Sequence, residues 1–530
     1  MQKSVKKQIY RDAFRFIWLP IFISIASLCL ENLLLIRYAE IFGDFANAVF
    51  AFDVNDGMEL IDDFVIAFIL TVIAVPTINF IGDVIMVKCA MTHDRMVLSR
   101  FLDKRCDAIG KVDAGDMLSR LNDDPNELRL ELHSICTASI IIPVTMVYLI
   151  VNALKAGTIY FLVVFAVSLI KFIIPVLIRK AEKKYHRENK EYASATRSAE
   201  TDFSCRAHLI NLFGMSQAMI DRQDARYVAY FCATKRKSIR LENAANTVRS
   251  FTNMVCMLVV LLTGAYFVSV DQITPGAVAA MLGYYAVLNK IIDNFCEFIR
   301  KLPIMDNLAK RLTYFYEDAE SNAGKRISKI GAFYGNNLRY SYGDNQIFGP
   351  VSFTIHNGKK VVVCGKNGGG KSTMMKVLLS VLNGYDGSLK VDGTELSEIR
   401  SDTYRGLISY APQDPYLFRG TVIENVILAK TDVNINEVRH LMSEYGILSL
   451  ADREIGEGGY ELSGGEKQKI SIVRAIIKDT PVVFIDEPEN NLDALSLENL
   501  RKWICESNKT IIYISHHSDF VACANQKIEL

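Results

Sequence analysis

Six long uncharged apolar stretches constrain this chain more than any other feature. They run over residues 16–30, 64–82, 134–154, 156–170, 250–270 and 272–289. A bilayer's hydrocarbon core is about 30 Å thick, and a helix needs about 20 residues to cross it. No water reaches the peptide groups there, so each stretch must bond its own backbone as a helix. Four stretches approach the required length unaided. The first continues past Glu31 through Asn32-Leu33-Leu34-Leu35-Ile36, and the fourth past Lys171 to Ile178. The lengths predict six membrane helices in preference to six buried helices of a soluble core.

The connections are of two kinds. Spans three and four meet in a tight turn around Lys155-Ala156-Gly157, and spans five and six meet near Asp271 and Pro275. By contrast, residues 83–133 separate spans two and three, and residues 179–249 separate spans four and five. These long connectors are charged and helix-like, as in Arg179-Lys180-Ala181-Glu182-Lys183-Lys184. They predict helices that leave the membrane on one side and return. Lys3, Lys6, Lys7, Arg11 and Arg15 crowd the N-terminus. The loop after span one carries Asp44, Asp53, Asp56, Glu59, Asp62 and Asp63, with no Lys or Arg between Tyr38 and Asp63. The positive-inside rule places that loop outside and both termini in the cytoplasm. The expectation is a multi-pass protein of the cytoplasmic membrane, in contact with its lipids. Glu31, Arg37, Asp83, Lys171, Lys290, Asp293 and Glu297 lie near span ends, where they either face a cavity or sit at interfaces.

The net charge of +1 over 530 residues gives no electrostatic case for nucleic acid. Eleven cysteines are scattered with no C-x-x-C pair, which reads as small core residues rather than a disulfide framework or zinc site. The N-terminus lacks the cleavage site of a signal peptide.

From residue 327 onward, strand and helix patterns alternate. Lys360-Val361-Val362-Val363-Cys364 reads as a buried strand. It feeds Gly365-Lys366-Asn367-Gly368-Gly369-Gly370-Lys371-Ser372-Thr373, and an apolar helix start follows at Met374, Met375, Val377 and Leu378. This order points successive backbone N–H groups and a helix N-terminus at phosphate oxygens. Lys371 would reach the β- and γ-phosphates of ATP, and Ser372 would ligate Mg²⁺. Downstream come Leu462-Ser463-Gly464-Gly465-Glu466 and Val482-Val483-Phe484-Ile485-Asp486-Glu487.

With these motifs in this order, the chain resembles an ABC exporter half-transporter over essentially its whole length. Residues 365–373 match Walker A. Gln413, in Tyr410-Ala411-Pro412-Gln413-Asp414-Pro415, matches the Q-loop. Residues 462–466 match the signature motif, and 482–487 match Walker B with its following glutamate. Asn491-Leu492-Asp493 resembles the D-loop and Ser515-His516 the H-loop. Tyr342 sits where the family stacks an aromatic on adenine. Residues 115–124 resemble the first cytoplasmic loop.

The resemblance implies the fold class: a membrane α-helical bundle of six helices with long cytoplasmic extensions, plus a C-terminal α/β P-loop ATPase. The boundaries expected are 1–312 for the membrane domain, 313–326 for a linker and 327–530 for the cassette. It also implies roles. Asp486, Ser372 and Gln413 would serve Mg²⁺. Glu487 would activate the attacking water, and His516 would contact the γ-phosphate. Ser463, Gly464, Gly465, Glu466 and Asp493 would act in trans, on a nucleotide held by a second subunit. Some details depart from the pattern. Glu466 stands where glutamine is commoner, Asn490-Asn491 stand where small residues are usual, and the chain ends shortly after His516. Few residues precede the first span, too few for the peptidase module of some peptide exporters. The function expected is ATP-driven export of an amphipathic or apolar cargo, with a processed peptide favoured, by a homodimer. The alternatives are half of a heterodimeric exporter or an ATP-gated sensor. Soluble ABC ATPases are excluded by the spans.

Overall fold

The computed structural model describes residues 2–52, 54–104, 114–172, 207–230, 235–317, 324–343, 345–430 and 432–530, with isolated positions between 184 and 232. The chain divides into two compact units. One comprises Met1–Asp103 with Val112–Asp318, the other Lys104–Lys111 with Ala319–Leu530.

The first unit is helical. It contains α1 (Gln2–Ala51), α2 (Val54–Ile69), α3 (Val75–Leu102), α4 (Asp124–Ala156), α5 (Thr158–Leu169), α6 (Ser216–Tyr230), α7 (Arg236–Ser269) and α8 (Pro275–Leu312). Helix α8 starts cleanly because the Thr274 side chain accepts the Ala277 N–H and proline occupies the first turn, where its missing donor costs nothing. Among the described residues, five helical stretches are long and apolar enough to cross a membrane: Lys3–Ala51, Leu60–Leu102, Gly115–Lys155, Arg236–Ser269 and Pro275–Phe315. The expected fourth span appears as α5, whose 12 residues reach about 18 Å. Residues 173–178, with which that span was expected to end, lie outside the described residues, as does most of 179–187. Helix α1 has 50 residues, about 75 Å, so it continues well past a hydrocarbon core.

Several of the charges near the span ends are paired within the bundle, Glu297 with Lys301 at 3.0 Å among them. Glu31 meets Lys290 at 2.7 Å, and Arg37 meets Asp63 at 2.7 Å and Glu40 at 3.0 Å. Pairing of this kind is what makes charge tolerable at membrane depth. Aromatic and methionine side chains of α7 and α8 differ in burial. Met281, Tyr284 and Tyr285 on α8 are core residues, only 0%, 2% and 6% exposed, packed with Leu149 and Tyr160. Phe251, Met254, Met257 and Tyr266 on α7 are exposed.

The second unit is α/β. A four-stranded antiparallel sheet, ordered β2-β1-β4-β5, uses β1 (Ala332–Tyr342), β2 (Asn345–His356), β4 (Asp386–Val391) and β5 (Thr394–Glu395). A five-stranded parallel sheet, ordered β11-β3-β10-β9-β6, uses β3 (Lys360–Cys364), β6 (Ile408–Ala411), β9 (Val482–Asp486), β10 (Thr510–Ile514) and β11 (Gln526–Glu529). The short pair β7 (Gly420–Thr421) and β8 (Glu454–Ile455) closes a separate ribbon. All five residues of β9 and of β10 are buried. Helices on both faces of a parallel sheet require such unbroken apolar strands. The helices that matter for the site are α9 (Lys371–Leu378), α10 (Gly464–Ile477), α11 (Ala494–Glu506) and α12 (Ser518–Cys523).

One expectation about the cysteines is corrected. Cys505 in α11 and Cys523 in α12 form a disulfide with Cα atoms 5.7 Å apart. Their separation of 18 residues carries no pairing signal, because it is the packing of α11 beside α12 that brings them together.

Candidate functional site

Four strands of the parallel sheet deliver the candidate residues to one edge. β3 ends at the P-loop, β6 at Pro412-Gln413, β9 at Asp486-Glu487 and β10 at Ser515-His516. Parallel strands end on the same side, so motifs far apart in sequence converge there.

The P-loop closes on itself through a Gly369 N–H donated to Lys366 O at 2.9 Å, which folds Lys366, Asn367 and Gly368 into a turn. Gly370 caps α9 at φ 86°, and a Cβ there would lie 2.8 Å from Phe348 Cβ, so no other residue suits the position. Lys371 opens α9 and is buried. Its Nζ donates to the loop carbonyls of Gly365 (3.1 Å) and Lys366 (3.2 Å), which holds the ammonium over the loop. Ser372 and Thr373 lie in the first turn of α9, where N–H groups have no helical partner and are available to an anion.

Asp486 ends β9 nearly buried, and its Oδ1 has no hydrogen-bond partner. Burial first, and then the neighbouring Glu487 charge, push its carboxyl up to about 6. Among the described residues, no group of three His, Cys, Asp or Glu side chains is placed to hold a metal alone. A lone carboxylate with an unsatisfied oxygen beside a phosphate loop fits Mg²⁺, which commonly binds through one or two carboxylates together with substrate phosphates.

Glu487 has left-handed backbone angles, φ 46° and ψ 57°, uncommon for a residue with a side chain and concentrated at functional sites. Its N–H donates to Ile514 O at 3.0 Å, tying it to the end of β10. Its Oε2 accepts Gln413 Nε2 at 2.7 Å, so the Q-loop and Walker B sets are in contact. Tyr342, at the end of β1, is half-exposed and packs edge-on against Tyr340, which leaves ring surface available for stacking.

The signature residues form a second set. Ser463 caps α10, followed by Gly464 and Gly465 in its first turn. A Cβ on Gly465 would lie 2.6 Å from Asn491 O, so the signature and D-loop backbones meet closely there. Asp493 caps α11 by accepting Ser496 N–H at 2.8 Å, and it is ion-paired to Lys469 of α10 within the same chain. The Lys469 bond, followed by the cap, holds its carboxyl at about 2.

Glu489 is a functional candidate that the sequence reading missed. From the turn after Glu487, its Oε1 accepts both Ser515 Oγ (2.8 Å) and His516 N–H (2.8 Å). It therefore fixes the H-loop backbone to the Walker B turn. Its position two residues after Glu487 was the only signal available. Replacing Glu489 with alanine is expected to lower ATPase kcat roughly 10-fold or more, the scale of a misplaced catalytic group, with little change in KM. Glutamine, whose amide oxygen can accept both donors, should restore most of the rate. Steady-state kinetics on the three proteins checks this.

Comparison with known proteins agrees with this architecture. The sequence profile of the ABC transporter transmembrane region matches residues 19–292, and that of the ABC transporter matches 348–490. The chain belongs to the ABC transporter family. A probable ABC transporter ATP-binding/permease protein of Haemophilus influenzae is 26% identical over 435 residues, 78% of each chain. The mesentericin-Y105 transport/processing ATP-binding protein of Leuconostoc mesenteroides is 28% identical over 296 residues, 52% of this chain and 40% of its own length. The structure of a bacterial Atm1-family ABC exporter with ATP bound superposes with a TM-score of 0.81 at 18% identity, covering 98% of this chain and 93% of that one. The fold is that of an ABC exporter, and the chain is a multi-pass membrane ATPase whose ATP hydrolysis is coupled to transport.

Proposed function

We propose that two copies of this chain form a homodimeric exporter in the cytoplasmic membrane, with both termini in the cytoplasm. In this reading each ATP is held by the P-loop of one copy and by Ser463, Gly464 and Gly465 of the other. The observation that carries the reading is that the phosphate set and the signature set are both intact yet stand on different elements, α9 and α10. Lys371 binds the β- and γ-phosphates. Asp486, Ser372 and Gln413 hold Mg²⁺, which neutralises phosphate charge when bound. Glu487 accepts a proton from the attacking water, and His516 orients that water against the γ-phosphate. Tyr342 stacks on adenine, and Asp493 supports the signature helix through Lys469. Closure of the cassettes moves the membrane helices through the loops around residues 110–124 and 208–217. Residues 110–113 lie outside the described residues.

The cargo surface in this proposal is a cavity of about 1100 Å³ in the membrane unit, between α1, α2 and α8. Tyr38, Phe42, Phe45, Phe64 and Phe68 line it, and Lys290, already paired with Glu31, stands at its edge. An apolar wall with neutralised charges suits an amphipathic or apolar cargo. A peptide is the first candidate, since one relative is named for mesentericin-Y105 transport and processing. The test is ATPase stimulation together with ATP-dependent uptake into inverted vesicles. Apolar peptides are expected to stimulate and accumulate, and Phe64→Asp is expected to abolish both. Accumulation of lipids or dyes but not peptides overturns the peptide assignment. Robust ATP turnover with no cargo moved favours an ATP-gated sensor.

A further inference from the structure

Glu466, the unusual last residue of the signature motif, sits in a closed hydrogen-bonded box with Ser463. Ser463 N–H donates to Glu466 Oε2 at 2.7 Å, Ser463 Oγ donates to the same oxygen at 2.8 Å, and Glu466 N–H donates back to Ser463 Oγ at 3.3 Å. Such a box fixes the start of a helix by satisfying two of its N-terminal N–H donors reciprocally. Here it also has a chemical consequence. A serine hydroxyl carries one proton. That proton is given to Glu466, in a charge-assisted bond stronger than a neutral one. The two Ser463 bonds, with Arg453 and Lys469 nearby, hold the Glu466 carboxyl below the usual glutamate range, so it is a carboxylate at every working pH. Lys469 is itself engaged with Asp493 and does not fully neutralise it.

We infer that Glu466 is a brake on closure of the ATP sandwich. It takes the Ser463 hydroxyl that a γ-phosphate would use, and it sets a negative charge where that phosphate arrives. Two anions then compete for one donor, and like charges at short range repel. The helix N-terminus still attracts the phosphate through its free N–H groups, so binding is weakened and not prevented. A glutamine at 466 keeps the cap, because its amide oxygen accepts the Ser463 N–H. It removes the charge and adds amide donors. The inference rests on the proposal that the signature loop completes the partner's site.

The experiment is steady-state ATPase of the full-length protein in nanodiscs, comparing the native chain with Glu466→Gln. The expected result is a half-saturating ATP concentration about 10-fold lower in the variant, the equivalent of about 1.4 kcal/mol. The gap should narrow at high salt, because the effect is electrostatic and partly exposed to solvent. Equal melting temperatures would show that the cap and fold persist. The control is mixing of Ser463→Arg and Lys371→Ala subunits. If mixing restores activity and Glu466→Gln leaves half-saturation unchanged or raised, Glu466 is a helix cap only and the brake is overturned. If mixing restores nothing in dimers shown to have formed, the cross-subunit arrangement falls and the brake with it.

Discussion

Glu487→Gln is expected to bind ATP and to turn it over at least about 100-fold more slowly than the native chain, the scale on which losing a general base acts. The substitution is nearly isosteric. The backbone position is held by the Ile514 carbonyl, and the Gln413 amide keeps an oxygen to donate to. What is lost is the ability to take a proton from water. Removing the charge also relieves Asp486, whose carboxyl the neighbouring glutamate helps to push up. Nucleotide binding should therefore hold or strengthen while hydrolysis collapses. Steady-state ATPase with a measurement of retained nucleotide checks both halves. Near-normal turnover would remove Glu487 from the chemistry.

Mixed dimers should show the second large effect. Ser463→Arg destroys the cap of α10 and sets a bulky side chain at the signature face, whereas Lys371→Ala deletes the ammonium held over the P-loop by the Gly365 and Lys366 carbonyls. Either homodimer should be close to inactive. In a mixed dimer with composite sites, one site carries both defects and the other carries neither. Part of the native ATPase rate should therefore return when the two inactive proteins are combined. No recovery would mean that each chain completes its own site.

Much of the candidate site was legible because its chemistry demands rigid local spacing. A phosphate loop needs glycines at Gly365, Gly368 and Gly370 with Lys371 at the helix start, and the structure has positive φ at those three glycines. Walker B is legible because a strand buried on both faces must be apolar until its last residue, which is Asp486. The membrane spans are legible because a bilayer requires length and the absence of charge.

The contacts between these segments were not legible, because they depend on strand order and helix packing. The parallel order β11-β3-β10-β9-β6 sets Gln413 against Glu487 and lets Glu489 reach Ser515 and His516, residues 26 and 27 positions away. The disulfide between Cys505 and Cys523 arises in the same way. In the membrane unit, helical periodicity alone could not say which of Met254, Met281 and Tyr285 faces inward, since every side of such helices is apolar.

By itself, then, the amino-acid sequence determined the membrane-spanning helices, the P-loop ATPase class and which residues are candidates for the phosphate site. Each follows from local chemistry: peptide groups without water, N–H groups around an anion, a carboxylate at the end of a buried strand. Only the tertiary structure decided that Glu489 holds the H-loop and that Glu31 neutralises Lys290. Those outcomes depend on which side chains meet in space, and a hydrogen bond or ion pair is set by distances of about 3 Å that no sequence separation encodes.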